Sequence, residues 1–167
     1  TFLFSDIEGS TKLAREHPET WEGARAWHHA ILREAIESNH GYVFQIIGDS
    51  FCTAFHTAGD ALRAAIQAQQ ELQTSEVFET SEVLKLRVRM GIHTGEVVAG
   101  NIGSPERMEY TVIGDNVNLT SRLESSTKEL NTDIVISQDT WEEIKDYIEC
   151  KPRGTIKVKG KDEGVTV

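Results

Sequence analysis

The sequence has few cysteines and no apolar segment of membrane-spanning length. Cys52 and Cys150 are the only two cysteines among 167 residues, too few for a disulfide framework, which favours a cytosolic protein. No window approaches the roughly 20 apolar residues that a membrane helix needs, and no signal-peptide pattern opens the sequence. These absences predict a cytoplasmic domain without membrane contact of its own, lying on the cytosolic side if the full chain is membrane-bound.

Basic residues are also scarce. The chain has 17 Lys and Arg against 27 Asp and Glu, a formal net charge of -10. Sequence-independent binding of DNA or RNA needs many cations against the phosphates, and anionic membrane surfaces attract basic segments. We therefore expect no nucleic acid and no such membrane surface as partner. A small anionic ligand stays compatible with this charge, because a metal ion or a local basic patch reverses the field where it lies.

The residues that are present fit one folded domain. Hydrophobic residues make up 38% of the chain and charged residues 26%, as in ordinary globular domains. A chain of this length buries roughly 70% of the surface that its unfolded form exposes. Without repeats, low-complexity segments or linkers, residues 1–167 are assigned to a single domain. Because the sequence opens on an apolar run at Thr1 without Met, we expect the domain to belong to a longer chain.

The order of the predicted elements indicates an α+β fold. Short β-rich runs and helical apolar periodicity predict, in chain order, a strand at 1–7, a helix at 19–38, strands at 42–47 and 50–55, a helix at 58–72 and a strand at 84–93. This β-α-β-β-α-β order is the ferredoxin-like unit. A C-terminal αβ extension follows, with strands at 96–102, 110–113 and 133–136, helices at 115–124 and 138–146, and a basic strand pair ending at Val167.

Two aspartates are predicted to meet at one edge of this sheet. Asp6 ends the first strand and Asp49 lies in the turn between the second and third, and in this topology the first strand lies beside the third. Paired carboxylates repel unless a cation lies between them, and Mg²⁺ prefers oxygen ligands. Beside them, Gly9, Ser10 and Thr11 form a turn into a helix, where backbone N–H groups favour phosphate. Each aspartate alone is better explained as a turn acid or a cap; the pair in this topology predicts a metal site for a nucleoside triphosphate.

Two further groups could contact such a ligand. Asn118 and Arg122 are spaced i, i+4 on a predicted helix and project from one face. Arginine offers a fork of donors to phosphate and asparagine can hold a hydroxyl, although the spacing also fits a helix surface with an Arg–Glu pair. A basic cluster near the C-terminus fits either a phosphate contact or lysines that protect a strand edge; its members are Lys151, Arg153, Lys157, Lys159 and Lys161.

Five segments carry a family resemblance that spans nearly the whole chain in order. They are FLFSDIEGST, IIGDSF, MGIHTGEVVAGNIG, YTVIGDNVNLTSRLES and the late VKGK. Together they resemble the catalytic domain of class III nucleotidyl cyclases, with GDNVNLTSRLE the most specific, and the short loop before YTVIGD is similar to the cyanobacterial-type subgroup. The resemblance implies conversion of a nucleoside triphosphate, here ATP, into its 3′,5′-cyclic monophosphate and pyrophosphate by a homodimer with two interface sites.

The resemblance also implies roles for individual residues. Asp6, Asp49 and the carbonyl of Ile7 match the ligands of two Mg²⁺ or Mn²⁺ ions per active site. Asn118 matches the residue that orients the ribose, and Arg122 the arginine that stabilises the pentavalent phosphorus. On the terminal phosphates, Lys159 is the best match to the family's lysine and Lys161 a poorer one. In the family, the metal ligands come from one chain, and the asparagine, arginine and lysine come from the other.

The base-reading pair departs from the family pattern. Gln45 stands where adenylyl cyclases usually carry a lysine, and its partner position is Thr111. Lysine only donates and so selects an acceptor on adenine, whereas a glutamine amide and a threonine hydroxyl can each donate or accept. We therefore expect weaker base discrimination, with relaxed or GTP-using activity as the alternative to cyclic AMP formation.

Two hypotheses outside this activity also fit parts of the sequence. A degenerate cyclase domain would serve in dimerisation or nucleotide sensing, but both metal aspartates and the arginine are in place. A diguanylate cyclase or polymerase palm shares the sheet and the paired acids. IIGDSF, however, lacks the first glycine of a GGDEF-like hairpin and the acid after its aspartate, so the cyclase reading is preferred.

Overall fold

The computed structural model describes residues 1–74, 84–104, 107–157 and 164–167, with only the backbone for 101–104 and 107–111. Its elements are β1 (Phe2–Ile7), α1 (Ser10–Glu16), α2 (Pro18–Ser38), β2 (Tyr42–Ile47), β3 (Ser50–Ala54), α3 (Ala58–Thr74), β4 (Val88–His93), β5 (Val98–Ser104), β6 (Arg107–Ile113), α4 (Asp115–Leu130), β7 (Ile134–Ile136), α5 (Gln138–Ile144), β8 (Thr155–Ile156) and β9 (Val165–Thr166). None of the helices in this described part is long and apolar enough to cross a membrane.

The central sheet has the predicted ferredoxin-like topology. Its order is β2-β3-β1-β4-β7, with β1 antiparallel to both β3 and β4 and with β7 parallel to β4. Phe4 on β1 is in register with Cys52 on β3 and with Gly91 on β4. The predicted α+β class and βαββαβ core are therefore confirmed, and β5 and β6 form a separate two-stranded arm.

One face of the sheet carries the main core. Leu3 and Ile7 of β1, Phe51 of β3 and Met90 of β4 are all at most 1% exposed and pack with buried residues of α2 and α3. On α2 the buried positions recur at helical spacing, and Pro18 occupies the first turn, where its missing N–H costs nothing. On α3 the buried face is largely alanine, which lets the helix lie close to its neighbours.

The opposite face is covered by α4, which contacts β1, β4 and β7. Gly91 makes this contact possible: a Cβ at that position would lie 2.2 Å from the backbone nitrogen of Glu124 and 2.7 Å from the carbonyl oxygen of Thr120. Helix α4 contacts the half of the sheet formed by β1, β4 and β7. The half formed with β2 and β3 borders a cleft.

Several element bounds differ from the sequence prediction. The segment after Asp6 was predicted as a turn, but helix α1 begins at Ser10. Helix α4 extends six residues beyond the predicted end, to Leu130, and its N-cap is Gly114. Strand β6 begins at Arg107 rather than at 110. Helix α3 extends two residues beyond the predicted end, to Thr74, and residues 75–83 lie outside the described residues.

Candidate active site

The candidate site is a cleft of about 300 Å³ between α4 and the part of the sheet formed by β1, β2 and β3. Its lining includes Asp6 of β1, Gln45 of β2, Ser50 of β3 and Asn118 of α4. These residues come from four different elements, which the sheet order and the packing of α4 bring together. The cleft therefore collects three of the predicted site residues in one place.

The two aspartates meet at the sheet edge, as the topology predicts. The backbone N–H of Ile7 donates to Asp49 Oδ2 at 3.0 Å, which ties the β2–β3 turn to the end of β1. Burial is the main cause that raises the pKa of Asp49, and the charge of Asp6 adds to it; the Ile7 N–H and the Ser10 hydroxyl act in the opposite direction. The contacts show convergence of the two carboxylates, while their role as metal ligands stays a prediction.

The donor set fits a hard divalent cation. Within the described residues there is no group of three or more His, Cys, Asp and Glu side chains placed to hold a metal. A cation between Asp6 and Asp49 would therefore complete its shell with backbone carbonyl, water or phosphate oxygens. Mg²⁺ has this preference for a few carboxylates plus water and substrate phosphates. The residues present thus fit the predicted ions, with the Ile7 carbonyl as a predicted third protein ligand.

Asp6 is held by two side chains that sequence analysis did not single out. The Ser50 hydroxyl donates to Asp6 Oδ1 at 2.6 Å, and the Arg89 guanidinium donates to Oδ2 at 3.1 Å. Arg89 is the register partner of Asp6 across the β1–β4 pair, so both side chains lie on the α4 face. The signal in the sequence is a charged residue, Arg89, between apolar neighbours in the strand VRMGIH.

Arg89 also faces α4. Its Nε lies 3.2 Å from Glu124 Oε1, an ion-pair distance at which the N–H is not aligned for a hydrogen bond. Burial raises the pKa of Glu124; Arg89 lowers it, and the charges of Asp6 and Asp49 raise it further. Glu124 therefore interacts electrostatically with two other carboxylates and one guanidinium beside the cleft.

The predicted phosphate turn leads into the first turn of α1. Gly9 has φ 71° and ψ 22°, a left-handed conformation that glycine adopts without strain. The Gly9 carbonyl accepts hydrogen bonds from the N–H groups of Lys12 and Leu13 at 2.9 and 3.0 Å. Ser10 and Thr11 lie in the first turn of α1, where backbone N–H groups have no acceptor within the helix. Their contact with phosphate stays a prediction, and Lys159 and Lys161 lie outside the described residues.

Helix α4 presents Asn118 and Arg122 differently. Asn118 is exposed and lines the cleft together with Asp6 of the same chain, whereas the resemblance assigns these two residues to different chains of a dimer. Arg122 is half-buried one turn later and is not among the residues that line the cleft. Among the described residues no carboxylate forms an ion pair with Arg122, so the simple Arg–Glu surface pair is not found there.

Gln45, the predicted base-reading residue, lies at an irregular point of β2. Val43 pairs with Thr53 and Gln45 with Cys52, so Phe44 is an extra residue. Phe44 packs against Phe2 and Phe4, and exposed Gln45 lines the cleft near Val112 of β6. The backbone of Thr111, whose side chain is not described, precedes Val112 and pairs with Gly100.

A ferredoxin-like sheet with paired aspartates at the mouth of a cleft is an arrangement typical of enzymes that act on nucleoside triphosphates with divalent metals. The comparisons with known proteins narrow this class. The family model described as "Adenylate and Guanylate cyclase catalytic domain" matches residues 1–167. The chain belongs to this family.

Its relatives include both kinds of cyclase. The chain is 34% identical to an adenylate cyclase of Anabaena cylindrica, over 100% of this chain and 36% of that protein. Among solved structures it resembles the guanylyl cyclase Cya2 (31% identity, TM-score 0.84, 99% of this chain and 87% of that one). It also resembles the adenylyl cyclase CyaB of P. aeruginosa (30%, TM-score 0.76, 99% and 89%). The chain spans about a quarter to a third of the curated relatives it matches first.

Proposed function

We propose that this domain is a nucleotidyl cyclase that converts ATP into 3′,5′-cyclic AMP and pyrophosphate at the interface of a homodimer. The observation that carries the proposal is the meeting of Asp6 and Asp49 at the sheet edge, beside a cleft that Asp6 itself lines. The net charge of -10 does not exclude a nucleoside triphosphate, because metal ions reverse the local field. We further propose a cytoplasmic location for the domain.

In this proposal each residue has a separate task. Asp6 and Asp49, with the Ile7 carbonyl, hold two Mg²⁺ or Mn²⁺ ions, which when bound make the ribose 3′-hydroxyl more acidic and neutralise the phosphates. Asn118 fixes the ribose so that the 3′-oxygen faces the α-phosphorus, because proximity and orientation lower the barrier. Arg122 donates N–H groups to the phosphate oxygens on which charge grows, and losing such a contact costs on the order of 100-fold in rate.

Phosphate and base are bound at the two ends of the substrate. The amides of Gly9, Ser10 and Thr11 hold phosphate oxygens beside the metals, and Lys159 binds the terminal phosphates of the triphosphate. Gln45 contacts the base from β2, with Thr111 as its partner. Because both side chains can donate or accept, GTP is the second candidate substrate, supported by similarity to both adenylyl and guanylyl cyclases.

A dimer is supported by the exposed apolar side chains around the cleft. Tyr42 and Ile47 of β2 are 63% and 60% exposed, and Val98 and Ile113 of the β5–β6 arm are 70% and 51% exposed. β2 and β6 contact one another, so these residues flank one region of the surface. Apolar exposure on this scale is typical of an interaction surface, and a second chain placed there could bring its own Arg122 towards the cleft.

Mixing two inactive variants tests the shared site. Asp6→Ala and Arg122→Ala are each expected to be nearly inactive, while their mixture regains about a quarter of the wild-type rate, since half of randomly paired dimers are heterodimers and each keeps one intact site of two. Cyclic AMP formation is measured with Mn²⁺, and heterodimers are verified by co-purification of two tags.

The matched control is a mixture of Asp6→Ala with Asp49→Ala. Both changes damage the same half of the site, so these heterodimers keep no intact site and stay inactive. Restored activity in the control, or none in the first mixture although heterodimers form, contradicts the shared-site arrangement. Wild-type protein that makes no cyclic product at high concentration with Mn²⁺ contradicts the enzymatic function and favours dimerisation or nucleotide sensing.

A further inference from the structure

The position of Arg89 has a consequence for metal binding. Its side chain is 16% exposed and lies between that of Asp6, which is 28% exposed, and that of Glu124, which is 11% exposed. Nη2 contacts Asp6 at 3.1 Å and Nε faces Glu124 at 3.2 Å. A guanidinium is planar and its donors have a fixed geometry, so the contact with Glu124 on α4 sets the direction in which Arg89 meets Asp6.

Both oxygens of Asp6 are therefore already engaged. Ser50 donates to Oδ1 and Arg89 to Oδ2. An ionised carboxylate has about four lone-pair sites, so two such donors orient the group and still leave acceptor capacity for a metal. The two donors differ in one respect: only Arg89 carries a positive charge, and that charge acts on the same carboxylate that a cation would bind.

We propose that Arg89, held by Glu124, is the internal counter-cation of Asp6: it fixes the carboxylate and at the same time weakens the affinity of the site for a divalent metal. The inference rests on the proposed function, since it takes Asp6 as a metal ligand. Glu124 has the opposite electrostatic effect, because its negative charge offsets that of Arg89. A site balanced in this way is ordered before the metal arrives and releases the metal more readily.

A purely structural ion pair makes a different prediction. If Arg89 only joined α4 to the sheet, its removal would loosen Asp6 and weaken metal binding together with the fold. A counter-cation predicts the reverse sign for the metal, since removing one positive charge beside a ligand strengthens cation binding by about three- to tenfold in a water-like dielectric. The sign of the change in Mn²⁺ affinity thus separates the two roles.

Titration of the nucleotide-free protein with Mn²⁺, followed by the electron paramagnetic resonance signal of free Mn²⁺, measures this affinity. Arg89→Met is expected to bind Mn²⁺ about three- to tenfold more tightly than wild type, and Glu124→Gln more weakly by a similar factor. Arg89→Lys keeps the charge and stays within about twofold. Asp6→Asn removes the negative charge of the proposed ligand and gives the Mn²⁺ affinity of a protein that lacks the site.

The matched control is Arg87→Met. Arg87 lies two residues before Arg89 and is paired with Glu8 and Asp133 instead. It is 46% exposed, so water screens its charge. The variant removes the same charge from the same segment, and its Mn²⁺ affinity is expected to stay within about twofold of wild type.

Unchanged or weaker Mn²⁺ binding by folded Arg89→Met overturns the inference. If this variant does not fold, Glu124→Gln decides: affinity equal to or above that of wild type overturns it. Wild-type protein whose Mn²⁺ binding is no stronger than that of Asp6→Asn overturns the proposed metal site and the inference with it. Mn²⁺ binding that follows the expected order without any cyclic product removes the proposed function but supports the role of Arg89.

Discussion

The contact between Gly91 and helix α4 gives the sharpest stability prediction. In Gly91→Ala the new Cβ would lie 2.2 and 2.9 Å from the nitrogen and Cα of Glu124, and 2.7 Å from the Thr120 carbonyl oxygen. Optimal van der Waals separations are about 3.5–4.0 Å, so α4 must move away from β4 by roughly 1 Å. Because all three atoms are backbone, no side-chain rotation relieves the overlap, and the cost falls at the upper end of overpacking, about 3 kcal/mol.

Urea unfolding and cyclase activity measure the two consequences. A loss of about 3 kcal/mol lowers the unfolding midpoint by about 1–3 M urea for ordinary slopes. Activity is expected to fall more than about tenfold under conditions where the variant is folded, because α4 carries Asn118 and Arg122 and a shift of about 1 Å impairs orientation.

Gly100→Ala is the matched control. Gly100 lies on β5, and a Cβ there meets no atom within 4 Å, so the free energy of unfolding should change by no more than about 0.5 kcal/mol. A Gly91→Ala variant as stable and as active as Gly100→Ala would refute the reasoning, since it would mean that α4 does not press on β4 as the distances indicate.

Two further predictions concern pH and the base. Burial lowers the pKa of His28 to about 3; the charge of His29 adds to this effect and that of Asp6 opposes it. Between about pH 6.5 and 3 the unfolded chain therefore binds a proton at His28 that the folded chain does not bind. The free energy of unfolding thus falls as pH falls through that window. His28→Met should remove this part of the pH-dependent loss of unfolding free energy, which is about 2 kcal/mol at pH 5. Urea unfolding of both proteins at several pH values measures the difference; parallel pH profiles would contradict a lowered pKa of His28. Gln45→Lys should raise the ratio of cyclic AMP to cyclic GMP formed from equal ATP and GTP, because lysine only donates; an unchanged ratio means that Gln45 does not contact the base.

The meeting of the two aspartates could be predicted from sequence, because it depends only on topology. Once β1 lies beside β3, the end of one strand and the turn before the other share an edge, whichever side chains pack beneath them. Helix α1 was missed because none of its seven residues is buried, so it has no apolar periodicity. The last turns of α4 were not predicted because their sequence is largely polar and has no clear apolar periodicity.

The contacts around Asp6 could not be predicted in this way. Arg89 reaches Asp6 through strand register, and Glu124 reaches Arg89 through the close packing of α4 on Gly91. Both depend on distances of a few ångströms between elements, which a linear pattern does not contain. The roles of Lys159 and of the Thr111 side chain stay predictions, since both lie outside what the structure describes.

The extra residue in β2 has an evolutionary consequence. In a regular strand Val43 and Gln45 would point to the same face, since side chains alternate. The register shift at Phe44 places them opposite Thr53 and Cys52, so that half-buried Val43 packs against the core and Gln45 lines the cleft. A chain without this irregularity could not direct both Val43 to the core and Gln45 to the cleft. If Gln45 contacts the base as proposed, a one-residue insertion or deletion in this edge strand would change nucleotide preference without any substitution at Gln45.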